Sequence, residues 1–237
     1  DVIDQNSKNE FRRRSRLPYF TTEEIKEIKG SSDFFGLNHY SSYIASKRKI
    51  FTNTKVMIPP ICETDLMVEL RRDPSWNTSK ENSYNVPTGL RGVLNFIKNN
   101  YNNPPVFITE NGFADDGRLD DYDRIDYYQG FLSELLKSIY EDKCNVMGYT
   151  IWSLIDDFEW AHGYTIKFGI THVNFKHPER KRIAKASTYY FKYLIKEREL
   201  PKILPRKLKF QNKVFKRKRS PIRKVYIIRR KEHSNWQ

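Results

Sequence analysis

The segment PPVFITENG, residues 104–112, decides the fold class. An apolar and β-branched run, Val106 to Thr109, leads directly into Glu110, Asn111 and Gly112. A near-continuous run of this kind predicts a strand that is covered on both faces, which is typical of a parallel sheet. Parallel α/β folds carry their chemistry at the carboxyl ends of their strands, so the carboxylate at this position is a candidate for a functional group.

The segments on either side repeat the pattern of strand followed by helix. Two more buried strands are predicted, in SDFFGLNHY (32–40) and at the start of CNVMGYTIWSLIDDFEW (144–160). Helical spacing of apolar residues predicts three helices, at 87–101, 119–142 and 186–199. Residues 41–86 lack a long period and predict a loop-rich excursion. The alternation of strand and helix therefore predicts a parallel α/β fold.

Each predicted strand ends in a cluster of polar and aromatic residues. The clusters are Asn38 with Tyr40, Glu110 with Asn111, and the group Trp152, Asp156, Asp157, Glu159 and Trp160. A single glutamate at a strand end reads equally well as a cap of the following turn. Three such clusters at one edge of a sheet favour a functional site instead. Carboxylates among aromatic rings are typical of a sugar-binding site, because the C–H face of a sugar stacks on aromatic rings and its hydroxyls bind carboxylates.

Six motifs in the same order resemble family 1 of the glycoside hydrolases, the β-glucosidase family. They are RLPYFTTEE, DFFGLNHY, PTGLR, ITENG, GYTIWSLIDDFEWAHGYTIKFGI and FGITHVNF followed by Arg and Lys-Ala-Ser. The resemblance covers about residues 12–198, and the chain looks most like animal members, especially those of insects. It implies a (β/α)8 TIM barrel and retaining hydrolysis of β-glycosides.

The resemblance also implies a role for each motif residue. Glu110 would be the nucleophile, and Tyr40 would hydrogen-bond to it and orient it. The substrate-binding residues would be Asn38, Trp152, Glu159, Trp160 and Phe168. Asp157 departs from the family pattern, in which Asn is commoner. Relatives that act on 6-phosphorylated sugars usually lack the acid at Glu159, so the substrate is expected to be an unphosphorylated β-glycoside.

One half of the expected chemistry is missing from the sequence. The family's acid/base carboxylate lies in an Asn-Glu-Pro motif, and this chain contains no such triplet. Glu63, Glu69 and Glu81 lie in the excursion and not at the expected site. The three strands match strands 6 to 8 of the barrel, which makes residues 1–200 the C-terminal part of the family domain. On this interpretation the fragment alone is expected to be inactive toward natural glycosides such as cellobiose.

The net charge of +14 belongs to the end of the chain. Residues 201–237 hold 14 of the 43 Lys and Arg residues but only one acid, Glu232, whereas the first 200 residues carry 29 basic and 28 acidic residues. We expect 201–237 to form a flexible basic tail. Because the body has no basic bias, no nucleic-acid partner is expected, and nucleic-acid binding through the tail stays a remote alternative.

The cysteine content and the apolar runs argue against a disulfide-rich, metal-binding or membrane-spanning protein. Cys62 and Cys144 form no disulfide framework, and no metal or cofactor site is predicted. No apolar run is long enough for a membrane span, and residues 1–18 do not read as a signal peptide. The sequon Asn77-Thr78-Ser79 weakly favours a secreted full-length form.

Two further functions stay open beside the β-glucosidase interpretation. Family members that cleave thioglucosides have an altered acid carboxylate, and the missing motif would distinguish them. A non-catalytic relative that binds a carbohydrate or a protein partner is the other alternative, although an intact Glu110 argues against it. Oligomeric state, glycone and aglycone are not predicted.

Overall fold

The computed structural model describes residues 2–9, 11–47, 68–80 and 84–201. These residues contain helices α1 (Val2–Asn9), α2 (Thr22–Ile28), α3 (Pro87–Asn100), α4 (Tyr122–Tyr140) and α5 (Ala186–Glu197). Their strands are β1 (Phe35–Asn38), β2 (Ile44–Lys47), β3 (Val68–Arg71), β4 (Val106–Glu110), β5 (Val146–Tyr149), β6 (Thr171–Val173) and β7 (Arg182–Ala184). Cys62, Glu63, Glu81 and the predicted tail beyond Pro201 lie outside the described residues.

The described residues divide into two compact units. One takes its residues from Asp1–Asp33 and Ser42–Trp76, and it contains α1, α2 and the antiparallel pair β2–β3. Helix α2 begins at a capping box, in which Thr21 and Glu24 bond to each other's backbone N–H groups. The pair β2–β3 corrects the prediction of a loop-rich excursion, because its strands are too short to show a clear two-residue period.

The other unit, from Phe34–Ser41 and Asn77–Gln237, contains the predicted parallel sheet. Its strands lie in the order β1–β4–β5, and both pairings are parallel. Helix α3 connects β1 to β4 within this order, and α4 connects β4 to β5. The α/β class is therefore confirmed. Strands β6 and β7 form a separate antiparallel hairpin that leads into α5.

The core of this unit lies between β4 and the helices α3, α4 and α5. Val106 and Ile108 of β4 are buried, and they share a cluster with apolar side chains of α3, α4 and α5. The buried residues of α3 are Leu90, Leu94 and Ile97, which follow the predicted helical spacing. Helix α3 packs on α4, and α4 packs on α5. Burial of these faces is the main force that holds the helices on the sheet.

The predicted burial of β1 is wrong. Phe35 is 42% exposed and its neighbour Phe34 is 46% exposed, and only Leu37 of the strand is half-buried. Among the described residues, β1 pairs with β4 along one edge and with no other strand. Strand β5 is partly buried, since Gly148 is buried and Met147 is 43% exposed. Apolar composition predicts that a strand belongs in a core but not that the covering layer is present.

None of the described helices is long and apolar enough to span a membrane.

Candidate active site

Glu110 is the last residue of the central strand, and a bulge sets its direction. Leu37 pairs with Ile108, but the next residue of β1, Asn38, pairs with Glu110, so Thr109 has no partner in the ladder. A bulge of this kind bends the strand and re-aims the side chain that follows it. The hydroxyl of Thr109 donates to the side-chain oxygen of Asn38, which places Asn38 beside Glu110.

Tyr40, just beyond β1, contacts the carboxylate directly. Its phenol donates a 2.6 Å hydrogen bond to Oε2 of Glu110. Burial raises the pKa of Tyr40 far above its usual range, and the hydrogen bond and charge of Glu110 add to this effect. Tyr40 therefore keeps its proton over the working pH range and is a permanent donor to the carboxylate.

Phe168 and Trp152 line the same region. The ring of Phe168 is buried and meets the ring of Tyr40 edge-on, with 6.1 Å between the ring centroids. Both Tyr40 and Trp152 pack against a small apolar cluster made of Ala114, Ile166 and Phe168. The carboxylate thus has aromatic side chains near it, as the sequence predicts for a sugar site.

A second carboxylate is held by Trp152. The indole Nε1 of Trp152 donates to Oε1 of Glu159 at 3.2 Å, and Glu159 is only 5% exposed. The peptide bond between Trp152 and Ser153 is cis. Trp160, the next residue after Glu159, begins a short 3-10 turn and is 87% exposed. Of the predicted binding residues, Trp152, Glu159 and Phe168 are thus buried or half-buried, whereas Trp160 and Asn38 are exposed.

Two glycines allow these segments to approach each other. A Cβ on Gly112 would lie 2.0 Å from the carbonyl oxygen of Trp152, and a Cβ on Gly169 would lie 2.1 Å from the backbone nitrogen of Asp156. No L side chain fits at such distances without a backbone shift. Gly112 therefore permits the chain after Glu110 to pass directly against Trp152.

A buried ionic cluster contacts the segments that carry the site residues, and no sequence motif predicts it. Its members are Asp115, Asp121, Arg124, Asp156, Lys185 and Ser187, all at most 2% exposed. Arg124 binds Asp115 at 2.8 Å and also Asp121, and Lys185 binds Asp156 at 2.9 Å. Asp121 in turn accepts from the backbone N–H of Ser187, at the start of α5.

The same cluster reaches the segments that carry the site residues. Arg124 donates to the backbone carbonyls of Phe113 and Lys167, and Asp156 accepts from the backbone N–H of Gly169. Phe168 lies between two of these anchored residues. Asp156 stands out in the sequence only as part of the cluster that ends its strand, and the other members look like ordinary surface charges. No local spacing reveals which distant charge each of them meets in the fold.

Among the described residues, no group of three or more His, Cys, Asp and Glu side chains is placed to hold a metal ion.

Comparison with known proteins gives a consistent result. The family model for glycosyl hydrolase family 1 matches residues 3–200. Myrosinase 1 of Brevicoryne brassicae is 44% identical over 195 residues, which cover 81% of this chain and 40% of that protein. The cytosolic β-glucosidase of Homo sapiens is 40% identical over 188 residues, which cover 78% of this chain and 39% of that protein.

Solved structures give the same result in three dimensions. An aphid myrosinase matches with a TM-score of 0.72 at 42% identity, over 82% of this chain and 41% of that chain. The rice Os3BGlu6 β-glucosidase matches with a TM-score of 0.70 at 37% identity, over 76% of this chain and 40% of that chain. The chain spans about two fifths of the length of the relatives it matches.

Proposed function

The chain belongs to glycosyl hydrolase family 1, and we propose that it carries the nucleophile side of a retaining β-glucosidase-type site for unphosphorylated β-glycosides. The observation that carries the proposal is the 2.6 Å hydrogen bond from Tyr40 to Glu110 at the carboxyl end of the central strand. A protonated phenol stabilises the ionised carboxylate, which is the form that attacks an anomeric carbon.

In the proposed mechanism, a carboxylate oxygen of Glu110 attacks the anomeric carbon and the bond to the aglycone oxygen breaks. A covalent glycosyl-enzyme forms, and water then releases the sugar. Retaining enzymes need a second carboxyl group about 5–5.5 Å away as acid and base. The family's Asn-Glu-Pro motif does not occur in this sequence, so this chain does not supply that group from its usual place. The three parallel strands correspond in this proposal to strands 6 to 8 of the barrel.

The sugar contacts are assigned to the residues that surround Glu110. Trp152 forms the floor of the glycone pocket, Phe168 forms a wall, and Asn38 binds beside the nucleophile. Glu159 and Trp160 bind the distal hydroxyls. The buried carboxylate of Glu159 would repel a phosphate group, because an uncompensated negative charge has no favourable place next to it. A glucoside should therefore react and its 6-phosphate should not.

The test is the release of dinitrophenolate from 2,4-dinitrophenyl β-D-glucoside, since this leaving group needs no protonation. We expect Glu110→Gln to lower the rate by at least about 10³-fold, because the neutral amide is no nucleophile. Glu27→Gln, an exposed position on α2, is the matched control and should react like the unchanged chain. Equal rates for Glu110→Gln and the unchanged chain would refute the assignment, and retained glucose binding in that case would favour the non-catalytic alternative.

Hydrolysis of a thioglucoside is the second candidate. The 44% identity to a myrosinase favours it. The two candidates share Glu110 but differ in their need for an acid, because a thiolate leaves without protonation more readily than an alkoxide. The comparison is between 4-nitrophenyl β-D-glucoside and its sulfur-linked analogue. Faster release from the sulfur-linked substrate would replace the β-glucosidase proposal with this one.

We also propose that the full-length protein is secreted. Asn77 of the sequon is exposed in a loop, where a glycan has room. Treatment of the native protein with a peptide-N-glycosidase should reduce its mass by one glycan at Asn77. An unmodified Asn77 in protein taken from its source would argue against passage through the secretory pathway.

A further inference from the structure

Asn111, the residue after Glu110, is fully buried, and both polar atoms of its side chain are hydrogen-bonded. Its side-chain Nδ2 donates to the carbonyl oxygen of His39 and to the phenol oxygen of Tyr127, both at 2.7 Å. Its side-chain oxygen accepts from the phenol of Tyr149 at 2.5 Å. An amide has two donor hydrogens, and both are used here.

The backbone carbonyl of Asn111 is also bonded on two sides. It accepts from the backbone N–H of Trp152 at 2.8 Å and from the phenol of Tyr128 at 3.2 Å. The Tyr128 phenol lies at the same distance from the carbonyl oxygen of Trp152. Asn111 therefore connects the ends of β1, β4 and β5 with two tyrosines of α4.

These contacts continue the sheet where its backbone ladder ends. After the bulge at Thr109, the N–H of His39 donates to the carbonyl oxygen of Glu110 at 2.9 Å. The carbonyl of His39 then bonds to the side chain of Asn111 instead of to a backbone N–H of the strand. The side-chain amide thus fixes the chain that leads from His39 to Tyr40, whose phenol holds Glu110.

We propose that Asn111, Tyr127 and Tyr149 form a positioning unit that holds Glu110 in register with Tyr40 on one side and Trp152 on the other. Its catalytic meaning rests on the function proposed above, because the unit acts through Glu110 and does not touch the sugar. Tyr127 adds a second link to the Tyr40 segment, since its phenol lies 3.4 Å from the carbonyl oxygen of Tyr40.

The chemistry of the unit requires an amide at position 111. Aspartate has the same shape but offers no hydrogens, and its charge would face the carbonyl oxygen of His39. Burial raises the pKa of Tyr127 and of Tyr149 well above the usual range, so both phenols remain protonated. Connected buried polar groups of this kind rigidify a structure only when each member is satisfied, as these are.

The experiment compares Tyr149→Phe and Asn111→Asp with Tyr190→Phe in the full 237-residue chain. Tyr190 is the matched control, because it is also a buried tyrosine, and its phenol donates a 2.8 Å hydrogen bond to the side chain of Gln129, away from Asn111. Amide hydrogen exchange measures local opening, and the rate of dinitrophenolate release is resolved into kcat and KM.

We expect Tyr149→Phe to accelerate exchange at residues 38–41 and 150–153 by about tenfold or more and to lower kcat by about tenfold, with KM changed less than twofold. Asn111→Asp should have a larger effect on both quantities. Tyr190→Phe should leave exchange at these two segments and kcat unchanged.

Equal exchange in Tyr149→Phe and Tyr190→Phe would overturn the inference. An unchanged kcat together with faster exchange would also overturn it, because the unit would then be structural only. If the unchanged chain releases no dinitrophenolate, the glycosidase proposal fails and the exchange result alone decides whether the unit orders these segments.

Discussion

At the scale of single residues, the question is why a charge ends the central strand. Glu110 is half-buried and accepts a hydrogen bond from Tyr40. The two residues that follow it are suited to the packing around them. Asn111 donates two hydrogen bonds to neighbouring segments of the chain, at His39 and Tyr127, and Gly112 has no Cβ to collide with Trp152. The motif Glu-Asn-Gly thus combines the nucleophile candidate with two residues that fix its surroundings.

Gly112→Ala tests the close approach of this segment to Trp152. An added Cβ would lie 2.0 Å from the Trp152 carbonyl, so the backbone must shift, and we expect a loss of about 1–3 kcal/mol or more in the free energy of unfolding. Gly92→Ala is the matched control on an exposed face of α3, where nothing lies within 4 Å, and it should be neutral or stabilising by about 0.5–1 kcal/mol. Urea unfolding measures both, and a neutral Gly112→Ala would contradict the described approach.

His39 predicts a pH dependence of stability. Burial lowers its pKa to about 4 from the usual 6.5, because its imidazole lies against Phe131 and away from water. The unfolded chain therefore binds a proton at a higher pH than the folded chain. The stabilisation by neutral His39 is complete above pH 6.5 and is lost as the pH falls from about 6.5 to 4, to the extent of about 3 kcal/mol.

The measurement is the free energy of unfolding at pH 7.5 and pH 4 for the unchanged chain, His39→Leu and His162→Gln. The difference between the two pH values should shrink by about 3 kcal/mol in His39→Leu, which cannot titrate. It should be unchanged in the control His162→Gln, because His162 is exposed. The same pH difference in all three proteins would show that His39 is not buried in its neutral form.

At the scale of elements, a buried ionic cluster connects segments that are far apart in sequence. Asp115 follows β4, Asp121 and Arg124 lie at the start of α4, Asp156 follows β5, and Lys185 precedes α5. Burial lowers the pKa of Lys185, the nearby Arg124 adds to this, and the carboxylates of Asp115 and Asp156 oppose it. Removal of one charged side chain would leave its partner buried without a compensating charge. This lowers the free energy of unfolding by more than the intact ion pair adds to it.

Lys185→Met tests this cluster. It removes the lysine that binds Asp156 at 2.9 Å and lies 3.7 Å from Asp115, which keeps its contact with Arg124, and we expect a loss of about 3–5 kcal/mol in the free energy of unfolding. Lys196→Met removes a lysine that is 75% exposed and paired with Glu197, and it should change the free energy by less than about 0.5 kcal/mol. The measurement is thermal unfolding of both proteins at one pH. Similar melting temperatures would contradict a stabilising role for the cluster.

Elements differ in how far the sequence could predict them. Helix α4 has Ile125, Leu132 and Leu135 on one buried face, and this period is visible in the sequence alone. The burial of β1 was predicted wrongly, because apolar composition does not reveal whether a covering layer is present. The strands β2 and β3 are four residues each, too short for a reliable pattern. The ionic cluster and the contacts of Asn111 depend on tertiary pairing, which no local spacing encodes.

At the scale of the whole molecule, the function proposed above assigns one side of a glycosidase site to this chain. The nucleophile candidate and Asn38 end two strands of a three-stranded parallel sheet, and the other assigned sugar contacts lie in the segment between β5 and β6. The chain covers about two fifths of the length of its relatives. The sequence resemblance identified the family and the residues at each strand end. It could not show which side chains contact one another, and the contacts of Tyr40 with Glu110 and of Trp152 with Glu159 required the structure.

The missing acid predicts a strong dependence on the leaving group. A poor leaving group needs a proton from a general acid, and loss of that help typically costs about 10²–10⁴-fold in rate. We expect the 237-residue chain to release 2,4-dinitrophenolate from its glucoside while hydrolysis of cellobiose stays near background. The measurement is kcat/KM for both substrates, and comparable values for the two would show that the chain supplies its own acid.

The most direct test of the account is to locate the covalent intermediate. The chain is incubated with 2,4-dinitrophenyl 2-deoxy-2-fluoro-β-D-glucoside, which forms a slowly hydrolysed glycosyl-enzyme, and the labelled peptide is sequenced by mass spectrometry. The account predicts one fluoroglucosyl group, attached to Glu110, and none in Glu110→Gln. A label on another carboxylate, or release of dinitrophenolate that persists in Glu110→Gln, would contradict it.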